Sequence, residues 1–368
     1  DAALAFCFAN KAIDLQHRWA SNKPFRHHPF QLAYILMCIE SIVNKKSEYR
    51  DSCDLMWVPT GTGKTEAYLA LAVFTMAYRR RLALREEGEP TGAGVSIITR
   101  YTLRLLTTQQ FRRTLSVVTA AEFLRTHSLS NRSRIGWRPE TWPDDENFIW
   151  GSSQFSTGLW IGAGVTPNKL RGNDQFGAGA IEILQGNPGM SSYGKAEPAQ
   201  VVECPCCRAN LSITDNGLSG SADMHLVVMT DATNISNSVG NLAPRQFYGL
   251  NITRADSVQH TNSRYHTISL TVDHGQDNIT SDEMDGMWRD VEQALDQAGT
   301  PVTLVPFRAS RPGYFPRQYI HNNNPIIYDF EIFCPNPECP LHLDKDTGKN
   351  VQWFRGSPTG SIHNKSVD

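Results

Sequence analysis

The 368 residues are 40% apolar and 20% charged with a net charge of −2, a globular balance that excludes a disordered or collagen-like chain. No apolar run reaches the roughly 18–20 residues of a membrane span, and the opening Asp1-Ala2-Ala3 lacks the basic and then apolar pattern of a signal peptide. A soluble cytoplasmic protein with no membrane partner is therefore expected, and the absence of an initiator Met is what a fragment, or segments joined across gaps, would show.

The charge is uneven. Residues 1–127 hold 17 Lys and Arg against 11 Asp and Glu, and the rest hold 18 against 26. The basic first part suits a polyanion such as ATP or DNA, although a solvated surface carries such an excess equally well.

In chain order, the apolar spacing predicts a helix over 2–20, a break at Pro24 and a second helix over 32–43 with Leu32, Ile35, Leu36, Ile39 and Val43 on one face. Leu55-Met56-Trp57-Val58 reads as a short buried strand of a parallel sheet. A glycine-bearing loop follows, then a helix over 65–85, a polar loop over 86–94, a strand over 95–98 and a helix over 102–125. This alternation predicts an α/β fold on a parallel sheet. Polar residues 128–147 read as a linker. Further on come strands near 225–229 and 265–272 and a helix over 281–297, with Ser281 as N-cap and Gly299 as stop. The expected domains are 1–127, the N-terminal part of an ATP-binding domain; 128–203, a linker and the start of an insertion; 204–345, a metal-binding insertion; and 346–368, a return toward the first domain.

Pro59-Thr60-Gly61-Thr62-Gly63-Lys64-Thr65 is the motif with the clearest chemistry. Gly61 and Gly63 allow a tight turn that aims N–H groups at phosphates, and the helix that follows presents its positive end to the same anion. Lys64 supplies a cation for the β- and γ-phosphates of ATP, and Thr65 a hydroxyl for Mg²⁺. The loop departs from the generic GxxxxGK[ST] pattern at Val58 and instead resembles the superfamily 2 helicase form. Two further segments resemble that superfamily. Phe25-Arg26-His27-His28-Pro29-Phe30-Gln31 lies upstream, where the resemblance makes Gln31 the adenine contact with Arg26 nearby. Thr99-Arg100-Tyr101-Thr102-Leu103-Arg104 stands where such motors hold a DNA strand by its phosphates, which makes Arg100, Thr102 and Arg104 the candidate DNA contacts. The candidate nucleotide set is Arg26, Gln31, Thr60, Gly61, Thr62, Gly63, Lys64, Thr65 and Glu66, with Lys64 and Thr65 as its catalytic members.

A narrower resemblance rests on Phe6-Cys7-Phe8-Ala9-Asn10-Lys11-Ala12, on the stretch from Trp57 to Leu69, on Arg100 to Leu106, and on Phe155 to Gly162 with Thr166-Pro167-Asn168. These look like DrmA, the helicase-like subunit family of the bacterial DISARM phage-defence systems. The resemblance implies a RecA-like parallel-sheet P-loop motor domain interrupted by a large mixed α/β insertion, DNA as substrate, a DrmB-like protein partner and a bacterial cytoplasmic location. It implies an ATP-dependent DNA helicase or translocase; the competing reading is an ATP-gated DNA clamp that recruits partners without unwinding.

A motor also needs a Walker B Asp-Glu pair and an arginine finger, and neither is found. Leu226-Val227-Val228-Met229-Thr230-Asp231 is followed by Ala232 where Glu is required and reads as an ordinary strand end, and Asp282-Glu283 as a helix-capping pair. The chain is expected to stop short of those acids.

Of the eight cysteines, Cys7, Cys38 and Cys53 stand alone. Cys204-Pro205-Cys206-Cys207 and Cys334 with Cys339 form two knuckles, and Cys204, Cys207, Cys334 and Cys339 make a four-thiolate set for structural Zn²⁺. The 126 residues between the knuckles exceed an ordinary zinc ribbon, and two unrelated reduced pairs are the alternative. His342 could replace one of these ligands, but it reads more readily as a surface histidine.

Overall fold

The computed structural model describes residues 1–59, 61–85, 94–101, 104–126, 135–142, 148–151, 153–161, 165–167, 169–172, 178–186, 196–260, 264–322 and 324–342. Its described residues fall into two compact units, one within Asp1–Leu159 and the other within Trp160–Val351.

In its described residues the first unit is helical. Helices α1 (Ala2–Ser21), α2 (Pro29–Val43), α3 (Lys64–Ala83) and α4 (Arg104–Thr126) pack around one core, with a 3-10 turn at Glu48–Asp51. The core joins Leu4, Phe8, Ala12 and Ile13 of α1, Ile35 of α2, Val73, Phe74 and Ala77 of α3, and Val117, Ala121 and Leu124 of α4, closed by Ile149 and Trp150. α1 stops where Asn22 takes a left-handed conformation, its N–H donating to the Arg18 carbonyl. Pro29 opens α2 at the position where a missing N–H costs nothing.

Two arginines, Arg125 and Arg81, are sealed inside this unit. The Arg125 and Glu122 side chains are 0% and 4% exposed and pair with each other. Glu122 also accepts from the Phe155 N–H, and Arg125 donates to the Gly151 carbonyl. Buried Arg81 bonds Asp1 and the Ile149 carbonyl.

The second unit is built on a five-stranded sheet of β1 (Leu218–Met229), β2 (Arg245–Phe247), β3 (Leu250–Gln259), β4 (Tyr265–Ile279) and β5 (Thr303–Leu304). Its order is β2-β3-β4-β1-β5, and all its pairs are antiparallel. Helices α5 (Ala180–Leu184), α6 (Ser236–Gly240) and α7 (Ser281–Gln297) belong to this unit. One core holds Leu226 and Val228 of β1, Ile252 of β3, Ile268, Leu270 and Val272 of β4, and Met284, Met287, Trp288, Val291 and Leu295 of α7. A separate antiparallel hairpin pairs β6 (Tyr314–His321) with β7 (Asn324–Ile332). Thr280, one residue before the expected Ser281, caps α7 in a reciprocal box with Glu283.

This architecture overturns the expected α/β RecA-like parallel-sheet P-loop fold. Both sheets are antiparallel, and neither 55–58 nor 95–98 forms a strand. The reason is visible in their environment. Leu55, Trp57, Val95 and Ile98 are 81%, 88%, 75% and 86% exposed, so these apolar runs lack the neighbours that a doubly covered strand requires. The run 226–229 does lie in a strand, the end of antiparallel β1, after which exposed Asp231 pairs with Arg264. No helix among the described residues is long and apolar enough to cross a membrane.

Candidate phosphate loop and four-cysteine centre

The glycine-bearing loop leads into α3, whose first residue is Lys64. Gly61 and Gly63 adopt φ of 82° and 91°, a region that L side chains rarely enter. At Gly63 a second constraint applies, because a Cβ there would lie 2.7 Å from Gln31 Nε2. Lys64 Nζ curls back to donate to the carbonyls of Val58 at 2.6 Å and Pro59 at 3.1 Å. The Thr62 hydroxyl donates to the same Pro59 carbonyl at 2.9 Å. Gln31 is buried, its Nε2 donating to the Gly63 carbonyl at 2.7 Å and its Oε1 accepting from the His28 N–H at 2.7 Å. Thus Gln31 caps α2 with one end of its amide and latches that helix to the loop with the other.

The donor set fits an anion. Two left-handed glycines, a lysine and the start of a 20-residue helix meet at one place, and beside Gly61 a Cβ would meet nothing within 4 Å. Thr65 and Glu66 occupy the first turn. Glu66 forms an ion pair with Arg113 of α4. Arg26 and Arg100 are exposed. Thr60, Thr102 and the Arg104 side chain lie outside the described residues.

The second unit brings together Cys204, Cys207, Cys334 and Cys339. One sulfur from each lies within 4.8 Å of all the others. Cys204 and Cys339 Sγ are 3.8 Å apart, and Cys207 and Cys334 Sγ 3.5 Å. Two sulfurs on a tetrahedral zinc ion, at a bond length of about 2.3 Å, lie roughly 3.8 Å apart, so the spacing suits one metal ion.

Local backbone explains how the knuckles form. In the first, the Cys204 N–H donates to the Ala209 carbonyl, the Arg208 N–H donates to the Cys204 carbonyl, and Arg208 turns through φ of 65°. In the second, the Cys339 N–H donates to the Asn336 carbonyl and the Leu341 N–H to Cys339 Sγ. Asn336 Nδ2 reaches Cys207 Sγ at 3.6 Å, a contact of the kind that orients metal-bound thiolates.

The 126 intervening residues are no obstacle, because the β6–β7 hairpin returns the chain to its start. The Gly313 N–H donates to the Leu211 carbonyl and the Phe333 N–H to the Gly313 carbonyl, which aligns the two knuckles. Tyr314 sits astride Val201, its hydroxyl bonded to that residue's N–H and carbonyl. Hydrogen bonds from Cys204, Cys334 and Cys339 hold the Cys207 thiol far below its ordinary range, and bonding to Cys207 pushes Cys204 up. Cys334 and Cys339 are raised as well, so a cation that binds the four sulfurs must displace protons and is held less tightly as pH falls.

Cys206 is buried but outside the set of four. His342 is buried rather than on the surface, its Nδ1 2.9 Å from the Cys334 carbonyl and its Nε2 3.3 Å from His260 Nε2. His260 in turn bonds the Thr267 hydroxyl of β4, so this histidine pair ties the second cysteine knuckle to the large sheet. The sequence signal for it was the position of His342, three residues after Cys339.

No family model matches the chain, and no solved structure matches it. The chain is similar to "DISARM protein DrmA" of Bacillus paralicheniformis, with 40% identity over 182 residues. That match covers 49% of this chain and 14% of the relative. It supports the DrmA-like identification read from the motifs, for a chain that spans a small part of the relative's length.

Proposed function

We propose that this chain is the nucleotide-binding segment of a DNA helicase or translocase that acts in bacterial phage defence. The observation that supports this best is the loop itself: Gly61 and Gly63 in left-handed conformations, Lys64 at the first position of α3, and Thr65 beside it. Lys64 exchanges its two carbonyl partners for the β- and γ-phosphates of ATP, whose full negative charge makes the stronger contact. Thr65 offers its hydroxyl to Mg²⁺, and Glu66 stays paired with Arg113. Gln31 holds the loop closed, and its contact with adenine requires exchange of its bond to Gly63. Bound ATP supplies the phosphoanhydride energy; the residues of this chain bind and orient it. The likeness to a DISARM protein supports the defence setting; a DrmB-like subunit is the proposed partner, and Arg100, Thr102 and Arg104 are the proposed contacts to DNA phosphates.

In the second unit Cys204, Cys207, Cys334 and Cys339 hold structural zinc. Four thiolates close a tetrahedral ion and leave no open position for substrate.

The test is DNA-stimulated ATP turnover and strand displacement by the full-length protein. Lys64→Ala is expected to abolish both, and near-normal turnover by that variant would overturn the proposal. ATP binding with no displacement or translocation would favour the clamp.

A further inference from the structure

Three hydroxyls and one amide meet between the phosphate loop and α4. The Tyr68 phenol oxygen lies 3.1 Å from Thr65 Oγ1, 3.1 Å from the Tyr101 oxygen and 3.0 Å from Gln110 Oε1. A phenol has one proton to donate, and an amide oxygen only accepts. While Tyr68 donates to Gln110, Thr65 and Tyr101 must therefore donate to Tyr68. When Tyr68 donates to Thr65 instead, Gln110 loses its donor. Burial holds the Tyr101 phenol above its ordinary range, with its bond to Tyr68 adding to the effect, so it remains a donor near neutral pH. A second strut runs beside this hub. Glu66 pairs with Arg113, and its other oxygen has no partner among the described residues. The two ends are distinct: Thr65 and Glu66 lie in the first turn of α3, directly after the loop, and Gln110 and Arg113 lie in α4.

We propose that Tyr68 is a positioning residue that couples occupancy of the phosphate loop to α4, through the chain Thr65–Tyr68–Gln110 with Glu66–Arg113 alongside. The proposal rests on the nucleotide reading of the loop and adds a route of regulation to it. A hydroxyl oxygen that serves a cation turns its proton away, and the Tyr68 oxygen is an acceptor within reach of Thr65. That commits the Tyr68 proton to Gln110 and fixes α4 against α3. A filled loop therefore orders the segment that presents Arg100 and Arg104, and linkage requires DNA to favour the filled loop by the same factor.

The experiment measures the DNA dissociation constant of the full-length protein with and without a non-hydrolysable ATP analogue. Coupling of this kind amounts to about 5–150-fold in the parent. Tyr68→Phe, which removes only the hydroxyl, is expected to bring the ratio to about one while leaving ATP affinity without DNA within about threefold of the parent. Gln110→Leu should behave alike, and Gln110→Glu, which keeps an acceptor, should retain the coupling. Hydrogen exchange gives a readout apart from binding. The analogue should slow exchange of α4 amides in the parent but not in Tyr68→Phe.

A Tyr68→Phe protein with the parent's ratio overturns the proposal, and so does a parent that binds both ligands with a ratio of one. Failure of the parent to bind the analogue at all is a separate outcome, visible before any variant is made. It removes the nucleotide reading and this coupling with it.

Discussion

The two units hold their candidate sites by different means. In the first, the loop is secured by single side-chain bonds: Lys64 on two carbonyls and Gln31 on the Gly63 carbonyl. Each can be exchanged for a ligand bond without disturbing the helical core around Phe8, Val73 and Phe74. In the second, the four sulfurs are set by backbone hydrogen bonds on both knuckles and by the Leu211–Gly313–Phe333 alignment. Nothing there can yield without opening the unit. A site that must admit and release a ligand suits the first arrangement, and one that keeps its ion suits the second.

Removing the ion should give the largest effect. The freshly purified protein is expected to carry one zinc per chain, and Cys334→Ser or chelation should release it. Structural zinc contributes about 10–16 kcal/mol of apparent binding energy in small domains. At about 2–4 °C per kcal/mol, the transition of the second unit should fall by about 20 °C or more, with ATP affinity unchanged. Metal analysis that finds no zinc would break the comparison at its second term.

Next comes the buried pair of the first unit. Glu122→Ala leaves Arg125 charged and sealed, and breaking such a pair costs about 3–5 kcal/mol. Denaturant unfolding should show that loss in the first unit alone; a loss under 1 kcal/mol, as at an exposed ion pair, would show that the core does not depend on it.

These two sites were not equally legible in the sequence. The cysteine spacing named all four sulfurs, because two thiols on one turn is a local pattern. Glu122 with Arg125 passed unremarked, because nothing in an i, i+3 pair tells a buried ion pair from a solvated one. The helices of the first unit are legible within a few residues from apolar spacing and the break at Pro24. The supposed strands at 55–58 and 95–98 did not form, because an apolar run of four records the wish for cover and not its presence. Of the large sheet, parts of β1 and β4 were legible through their apolar runs. β3 was not, since Asn251-Ile252-Thr253-Arg254-Ala255-Asp256 is mostly polar and a register shift between Ile252 and Arg254 breaks its alternation.

A smaller effect concerns DNA. Replacing Arg100 and Arg104 with Ala should weaken binding evenly across sequences and flatten the slope of log K against log salt by about 0.7 to 0.9 per lost phosphate contact. ATP binding should survive. An unchanged slope would remove this segment from the DNA path.

The smallest effect is at the α7 cap. Thr280→Ala should cost about 1 kcal/mol. Glu283 is held below its ordinary value of 4.5 by the Thr280 N–H and hydroxyl. Its contribution is therefore present above pH 4.5 and fades as pH falls through the lowered value. Glu283→Gln should lose that acid dependence, and a variant with the parent's acid profile would place the sensitivity elsewhere.

The most direct test of the account is an equilibrium titration of ATP with Mg²⁺ against the parent and Lys64→Ala, with thermal unfolding recorded for both. A charge-assisted bond contributes about 1.5–3 kcal/mol, so the variant should bind at least about tenfold more weakly while unfolding at the parent's temperature. Equal affinities in two equally stable proteins would contradict the phosphate-loop reading and, with it, the contrast between a loop built to exchange its partners and a centre built to keep its ion.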